Sequence, residues 1–261
     1  MDLAGKNVVY LGSFGGIGQK ACAELLGRKI KALAVFDLTL NEQLLTTWQT
    51  QYPNTEIFYQ KLDITQKSEI EAAYKAAGAR LGHFDLVVNG IGLINDQLVE
   101  LTIQINLLGV IQSCLIALQY MDKAQGGKGG LIVNFSSIAG IEPASTVAIY
   151  SAAKHGVTAF TRGLSNPGYY ENTGVGFITI CPGFTDTPLL DGLTEKSTLK
   201  YDIPVKRLMN LVKRQTAQEC ATNLVKVIEQ GQNGSVWLLD LGEMTQIEMP
   251  VMWKPVLTKP V

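Results

Sequence analysis

The sequence predicts an α/β protein built on one doubly wound parallel sheet of seven strands, with helices on both faces. Three observations carry that prediction. Short apolar runs rich in β-branched residues alternate with segments of helical period, the pattern of a parallel sheet covered on both sides. The first apolar run passes through a cluster of glycines straight into a helical pattern, as a tight strand-to-helix turn requires. No linker, repeat or low-complexity tract interrupts the 261 residues, so residues 1–261 are expected to form a single domain.

The elements follow in order. Strand Asn7–Gly12 (NVVYLG) leads to helix Gly16–Arg28, and strand Ala32–Asp37 (ALAVFD) to helix Leu40–Gln51. Strand Glu56–Leu62 precedes helix Gln66–Leu81, and the short strand Leu86–Asn89 precedes the long apolar helix Leu101–Met121. Strand Gly130–Ser136 leads to helix Val147–Leu164, then strand Gly176–Cys181. Thr185–Arg214 mixes Pro, Gly, Thr and charges without a clean period. It follows the C-terminal end of a strand, where ligands of open α/β sheets bind, so it reads either as a substrate lid over residues 185–214 or as an ordinary surface loop. Helix Ala217–Glu229 and strand Ser235–Leu241 close the sheet, leaving residues 243–261 as a tail.

Hydrophobic residues make up 46% of the chain and charged ones 17%, enough for a substantial core. Net charge is −1 and no basic run occurs, which excludes a nucleic-acid footprint. The first residues, MDLAGKNVVYLGS, lack the pattern of a secretory signal, and no run approaches the roughly 20 apolar residues of a membrane span. A soluble, cytoplasmic protein is expected. Cys22, Cys114, Cys181 and Cys220 are scattered without metal-ligand spacing, so buried free thiols and no metal are expected.

After the first strand comes Gly12-Ser13-Phe14-Gly15-Gly16-Ile17-Gly18. Glycines permit a tight turn and close backbone approach, while the following helix N-terminus presents free N–H groups to an anion, so a pyrophosphate fits. Asp37 ends the second strand about 20 residues on, where a carboxylate can accept hydrogen bonds from an adenosine ribose diol. Its alternative is to cap the next helix. Asp63, in QKLDIT, ends the third strand and can either bond an adenine amine or cap a helix. Together these features point to NAD.

In IYSAAKHG, Tyr150 and Lys154 lie four residues apart, which places a phenol and an ammonium on one helix face, one turn from each other. Taken with the glycine spacing, this motif resembles the short-chain dehydrogenase/reductase family along essentially the whole chain. Asn89-Gly90-Ile91-Gly92 is similar to that family's Asn-Asn-Ala-Gly segment, Asn106 in QINLLGV to its helix asparagine, and Ser137 in NFSSIAG to its serine. Pro182-Gly183 with Thr185 and Thr187, in CPGFTDTP, is similar to its nicotinamide-contacting turn. KGGLIVNFSSIAG, VAIYSAAKHGV and NGSVWLLDLG resemble the insect alcohol dehydrogenase branch in particular. The chain departs from the family pattern at Leu11, Gly90 and Ile91.

The resemblance implies a Rossmann-type fold and an NAD-dependent oxidoreductase that converts an alcohol to a ketone or aldehyde without a metal. It implies catalysis by Asn106, Ser137, Tyr150 and Lys154. It implies cofactor contacts from Gly12, Phe14, Gly16, Ile17, Gly18, Asp37, Asp63, Ile64, Asn89, Gly90, Tyr150, Lys154, Pro182, Gly183, Thr185 and Thr187. Chemically, Tyr150 suits a base whose phenol, ordinarily of pKa about 10, is lowered by the Lys154 ammonium and a positive nicotinamide ring. Ser137 would hold the substrate oxygen, Lys154 the nicotinamide ribose, and Asn106 a relayed water. The alternatives are a dehydrogenase for a larger lipid-like alcohol, and a dinucleotide-binding storage or sensor protein of weak turnover. The resemblance also implies a homodimer through helices Leu101–Met121 and Val147–Leu164. The apolar tail from Met249 to Pro255 is expected to pack across the partner or over the substrate mouth.

Overall fold

In the computed structural model, which describes residues 1–201 and 211–251, the seven apolar runs become seven parallel strands. These are β1 (Asn7–Leu11), β2 (Ala32–Asp37), β3 (Glu56–Lys61), β4 (Leu86–Asn89), β5 (Gly130–Phe135), β6 (Val175–Pro182) and, after the short pair described below, β9 (Val236–Asp240). Their spatial order is β9-β6-β5-β4-β1-β2-β3, so successive strands run outward one way from β1 and the other way from β4. That reversal opens a crevice at the carboxyl ends of β1 and β4, the usual ligand site of an open α/β sheet.

Alternation along each strand builds two cores. Val8 and Tyr10 of β1 join Leu33 and Val35 of β2 beneath α1 (Gly16–Gly27) and α8 (Ala217–Gln230), with Leu25 and Leu224. Val9 and Leu11 turn to the other face, with Ala34 and Phe36, against α3 (Lys67–Leu81), α5 (Gly109–Met121) and α6 (Ala148–Leu164). Side chains of period two on a sheet covered twice leave both faces dry. Helix α2 (Glu42–Gln51) lies beside β3 and starts two residues later than expected, capped by Asn41.

Three added elements depart from the sequence reading. An eighth strand, β10 (Glu243–Ile247), runs antiparallel on the outer edge of β9, in the stretch expected to begin the tail. Leu241 and Gly242, at φ 49° and 78°, form the two-residue turn between them, both residues left-handed as such hairpins require. The strand's EMTQI sequence has no apolar face, so periodicity could not reveal it. A short parallel pair, β7 (Thr185–Asp186) and β8 (Gln215–Thr216), joins the two ends of the expected lid. A short helix, α7 (Pro167–Thr173), follows α6.

The long apolar helix begins at Val99 and is not uniform: α4 (Val99–Ile103), one π turn (Gln104–Leu108) and α5 run on continuously. Contrary to the sequence expectation, Val99–Met121 is by length and composition apolar enough to cross a bilayer. Its inner face instead covers the sheet, with Val110, Cys114, Ala117 and Met121 wholly buried. Part of the expected lid, residues 202–210, and the expected tail contacts of 252–261 lie outside the described residues.

Candidate active site

The crevice is one cleft of ≈ 1410 Å³ running from Phe14 and Asp37 at one end to Ser137, Tyr150 and Leu193 at the other. At its first end the glycines are fixed by contact. Gly12 has φ 81°, and a Cβ there would stand 3.0 Å from the Gly90 carbonyl carbon and the Ile91 nitrogen. A Cβ on Gly18 would lie 2.0 Å from the Gly12 oxygen, and one on Gly16 2.5 Å from Thr187 Cγ2. Helix α1 therefore starts hard against the strand ends. It has no side-chain cap and no acid in its first turn, so its N-terminal amides and dipole are left for an anion. Ile17, half-buried, faces both the cleft and the core. The family's threonine is replaced by Leu11, and the loop is tied to β4 through backbone: Gly90 N donates to Leu11 O at 3.0 Å.

Asp37 lines the cleft and organises it. Its two carboxylate oxygens accept from Phe14 N at 2.9 Å and Leu38 N at 2.8 Å. It is not the α2 cap, since Asn41 accepts from Leu44 N. Phe14 stacks on Trp48 and Tyr59, with ring centroids 5.9 and 6.1 Å away, and this fixes the loop above Asp37. Asp63 and Ile64 also line the cleft, but one Asp63 oxygen is held by the Thr65 amide and hydroxyl. Asp63 thus serves the turn into α3 as well as facing the cleft.

At the other end, α6 buries Tyr150, Lys154, Val157 and Thr161 at helical spacing, so the phenol and ammonium share the inward face. Lys154 Nζ donates to Phe135 O at 2.9 Å and lies 5.6 Å from the Tyr150 ring centroid. Ser137 begins the tight turn Ile138–Gly140, its Oγ accepting from Ala139 N at 3.1 Å. Ser136 bonds the Lys154 carbonyl and Thr158, while a Cβ on Gly140 would fall 2.1 Å from Ser136 Oγ. Strand β5 and helix α6 are thereby locked together across the site.

Burial dominates the protonation equilibria. It pushes the Tyr150 phenol up to about 12, against the pull of the Ser137 hydroxyl, and pushes Lys154 down to about 8. The expected lowering of Tyr150 is therefore reversed when only the chain's own groups act. Desolvation of the phenolate is the largest cause, it outweighs the Ser137 hydroxyl, and the nearby Cys181 thiol adds to it.

Two asparagines differ from expectation. Asn89 is buried behind the cleft, its amide bonded to Asn134 Oδ1 at 2.8 Å and Cys114 Sγ at 3.3 Å and its oxygen to Ser113. It fastens β4 to β5 and α5 and does not line the cleft. Asn106, in the π turn, donates to Leu93 O and Thr102 O at 2.7 and 2.8 Å and accepts from Leu93 N. Both amide hydrogens are spent on backbone, so none is free to hold a water.

Pro182, Gly183, Thr185 and Thr187 line the cleft between its two ends. Gly183 permits the close approach of Asp240, whose Oδ1 would be 2.0 Å from an added Cβ. The sequence reading placed Gly92 within the Asn89–Gly92 segment but gave it no role at the site; a Cβ there would be 3.3 Å from Asn106 Oδ1 and 3.7 Å from Lys154 Nζ. Nor did it find the aliphatic pocket around the phenol: Ile94, Ala139, Val147, Leu189, Leu190 and Leu193. These come from four separate segments, and no local pattern joins them. All four cysteines are free and buried.

This arrangement of a glycine-lined anion cradle, an acid at the second strand and a tyrosine–lysine helix face defines a nucleotide-dependent oxidoreductase fold. A family model described as short chain dehydrogenase matches residues 6–198, and the chain belongs to the short-chain dehydrogenase family. It is 40% identical over 255 residues to "Alcohol dehydrogenase 1" of Ceratitis cosyra, covering 98% of this chain and 99% of that one. It is 36% identical over 253 residues to "Fat body protein 2" of Drosophila melanogaster, covering 97% and 99% of the two chains. Among solved structures, levodione reductase superposes with a TM-score of 0.77 at 24% identity, over 92% of this chain and 97% of the other, a likeness of fold.

Proposed function

We propose that the protein, acting as a single domain over residues 1–261, is an NAD-dependent dehydrogenase that oxidises a small or moderately apolar alcohol to a ketone or aldehyde. The observation that carries this reading is the juxtaposition, in one cleft, of the Asp37-bearing glycine cradle and the Ser137–Tyr150–Lys154 cluster. The uncapped first turn of α1 suits a pyrophosphate, and Asp37 suits an unphosphorylated adenosine ribose. When bound, NAD supplies the hydride acceptor.

The chain's residues then divide the remaining work. Ser137 Oγ accepts from Ala139 N, and its hydrogen, which faces the Tyr150 phenol, can be shared with the substrate oxygen and orient the carbinol carbon. Lys154 spends one N–H on Phe135 O and keeps two for ribose hydroxyls. Tyr150 removes the hydroxyl proton. Because burial holds its phenol near 12, the base forms only when positive charge is added beside it, which couples proton abstraction to the oxidised cofactor. Asn106 contributes by clamping Leu93 and the β4 end, so its part in the relay is positional. The aliphatic pocket around Tyr150 excludes water and favours an apolar alcohol.

Two further parts of this reading concern the protein's setting. Four buried thiols, none in a disulfide, suit the reducing cytoplasm. Leu101, Leu108 and Leu115 stand exposed at intervals of seven along α4, the π turn and α5, which suits a homodimer built on that continuous helix. Steady-state assays with NAD⁺ and a panel of alcohols test the function. Turnover should be lost by at least ~10²-fold in Tyr150→Phe while NADH titration is unchanged. Retention of more than about a tenth of wild-type kcat would refute the assignment of the base.

A further inference from the structure

Helix α6 carries both Tyr150 and Lys154, yet its sequence supplies no cap. Val147 stands at the N-cap with no side-chain acceptor, and the first turn contains no acid. Such a start leaves first-turn amides unsatisfied unless another segment reaches them. Asp96 does so from the loop after β4. Its Oδ2 accepts from Ile149 N at 2.7 Å and its Oδ1 from Tyr150 N at 3.0 Å, and the residue is only 2% exposed. The remaining donor, Ala148 N, is met by Thr198 Oγ1 at 2.7 Å, and the same hydroxyl donates to Asp96 Oδ2.

The same two residues, with Gln97, hold one wall of the substrate end. Asp96 N donates to Lys196 O at 2.9 Å, Gln97 Nε2 to Ser197 O at 2.6 Å, and Thr198 N to Thr146 O at 2.9 Å. Residues 196–198 continue from Leu193, which packs in the aliphatic pocket around Tyr150. One buried carboxylate therefore grips the backbone nitrogen of the proposed base and, through the Thr198 hydroxyl, the segment at residues 196–198, which the Asp96 backbone and the Gln97 side chain also hold. Charge reinforces the geometry, since an anion at a helix N-terminus is favoured by the helix dipole.

We propose that Asp96, with Thr198, is a positioning residue for the dehydrogenase reaction: it sets the Tyr150 phenol against Ser137 and ties that setting to the substrate wall at residues 193–198. This rests on the reading of Tyr150 as the base. The carboxylate needs both oxygens as acceptors, so Asp96→Asn turns one of them into a donor facing an amide N–H. The start of α6 must then shift, and a misplacement of ~1 Å can cost up to ~10²-fold in rate.

The test compares Asp96→Asn, Thr198→Ala, Thr198→Ser and Tyr150→Phe in the purified full chain. It measures NADH affinity, kcat, alcohol KM and the primary isotope effect with alcohol deuterated at the carbinol carbon. Asp96→Asn is expected to lower kcat by ~10–100-fold, raise alcohol KM and enlarge the isotope effect, with NADH affinity preserved. Thr198→Ala should give the same pattern more weakly, and Thr198→Ser, which keeps the hydroxyl, should restore it. A merely structural role predicts something else: kcat falling with the folded fraction while KM and isotope effect stay fixed. That result would overturn the proposal. Should Asp96→Asn fail to fold, a folded Thr198→Ala with wild-type KM and isotope effect would overturn it equally. Full turnover in Tyr150→Phe would instead bring down the catalytic reading itself, and this proposal with it.

Discussion

Replacement of Asp37 by serine should collapse the preference for NAD⁺ over NADP⁺. A 2′-phosphate on the adenosine ribose would meet the Asp37 carboxylate, and among the described residues the cations lining the cleft are Lys154 and Lys196, both at its substrate end. Two unit charges at about 4 Å repel by ~1 kcal/mol in water and ~4 kcal/mol at an effective dielectric near 20. Asp37 is half-buried and lies between these limits, so repulsion gives a ratio of roughly 10²-fold at ~1.4 kcal/mol per tenfold. Asp37→Ser removes that repulsion and also the acceptor for Phe14 N and Leu38 N. A hydrogen bond to a charged group contributes ~1.5–3 kcal/mol, so KM for NAD⁺ should rise by about 10- to 100-fold while NADP⁺ use improves. Adding Leu38→Arg, at a position 55% exposed beside the acid, should shift preference to NADP⁺. The assay is kcat/KM for each cofactor at saturating alcohol, at low and high salt. Equal wild-type values, or a ratio that Asp37→Ser leaves untouched, would show that Asp37 only organises the loop.

The remaining expectations concern protonation, packing and assembly. Alcohol oxidation should rise with pH along a limb set by Tyr150, and Lys154→Met should move that limb upward or abolish it; an unmoved limb at full activity would exclude the pairing. Because burial lowers Lys154 from 10.5 to about 8, the unfolded chain binds the proton more tightly than the folded one. Stability of the cofactor-free protein should therefore gain up to ~3 kcal/mol from this group as pH climbs from 8 to 10.5, and lose it as pH falls back through 8. Urea melts of Lys154→Met at pH 7.5 and 10 should lack that increment. Gly18→Ala, which drives a Cβ into the Gly12 carbonyl, should cost ~1–3 kcal/mol and abolish NADH binding; normal binding by fluorescence titration would contradict the close-contact argument. Leu108→Lys with Leu115→Lys should yield a monomer by sedimentation, and an unchanged mass would move the interface elsewhere.

Much of this protein is written locally. The parallel strands are legible because a doubly covered sheet demands unbroken apolar runs, and α1 and α6 because helical period and glycine placement are properties of contiguous residues. The cradle at Gly12–Gly18, the acid Asp37 and the shared face of Tyr150 and Lys154 all follow from spacing within a few turns of chain. Strand β10 does not, since a polar edge strand has no apolar face and exists only because the Leu241-Gly242 turn folds it onto β9. The engagement of the Asn89 and Asn106 side chains within the fold was decided by Ser113, Asn134 and Leu93, which come from other elements. The cap on α6 comes from Asp96 and Thr198, more than 45 residues to either side, and the sign of the Tyr150 shift from everything packed around its phenol. Period, propensity and glycine freedom act through neighbouring bonds and can be read along the chain; hydrogen-bond satisfaction and desolvation depend on which distant groups arrive, and exist only once the chain has folded.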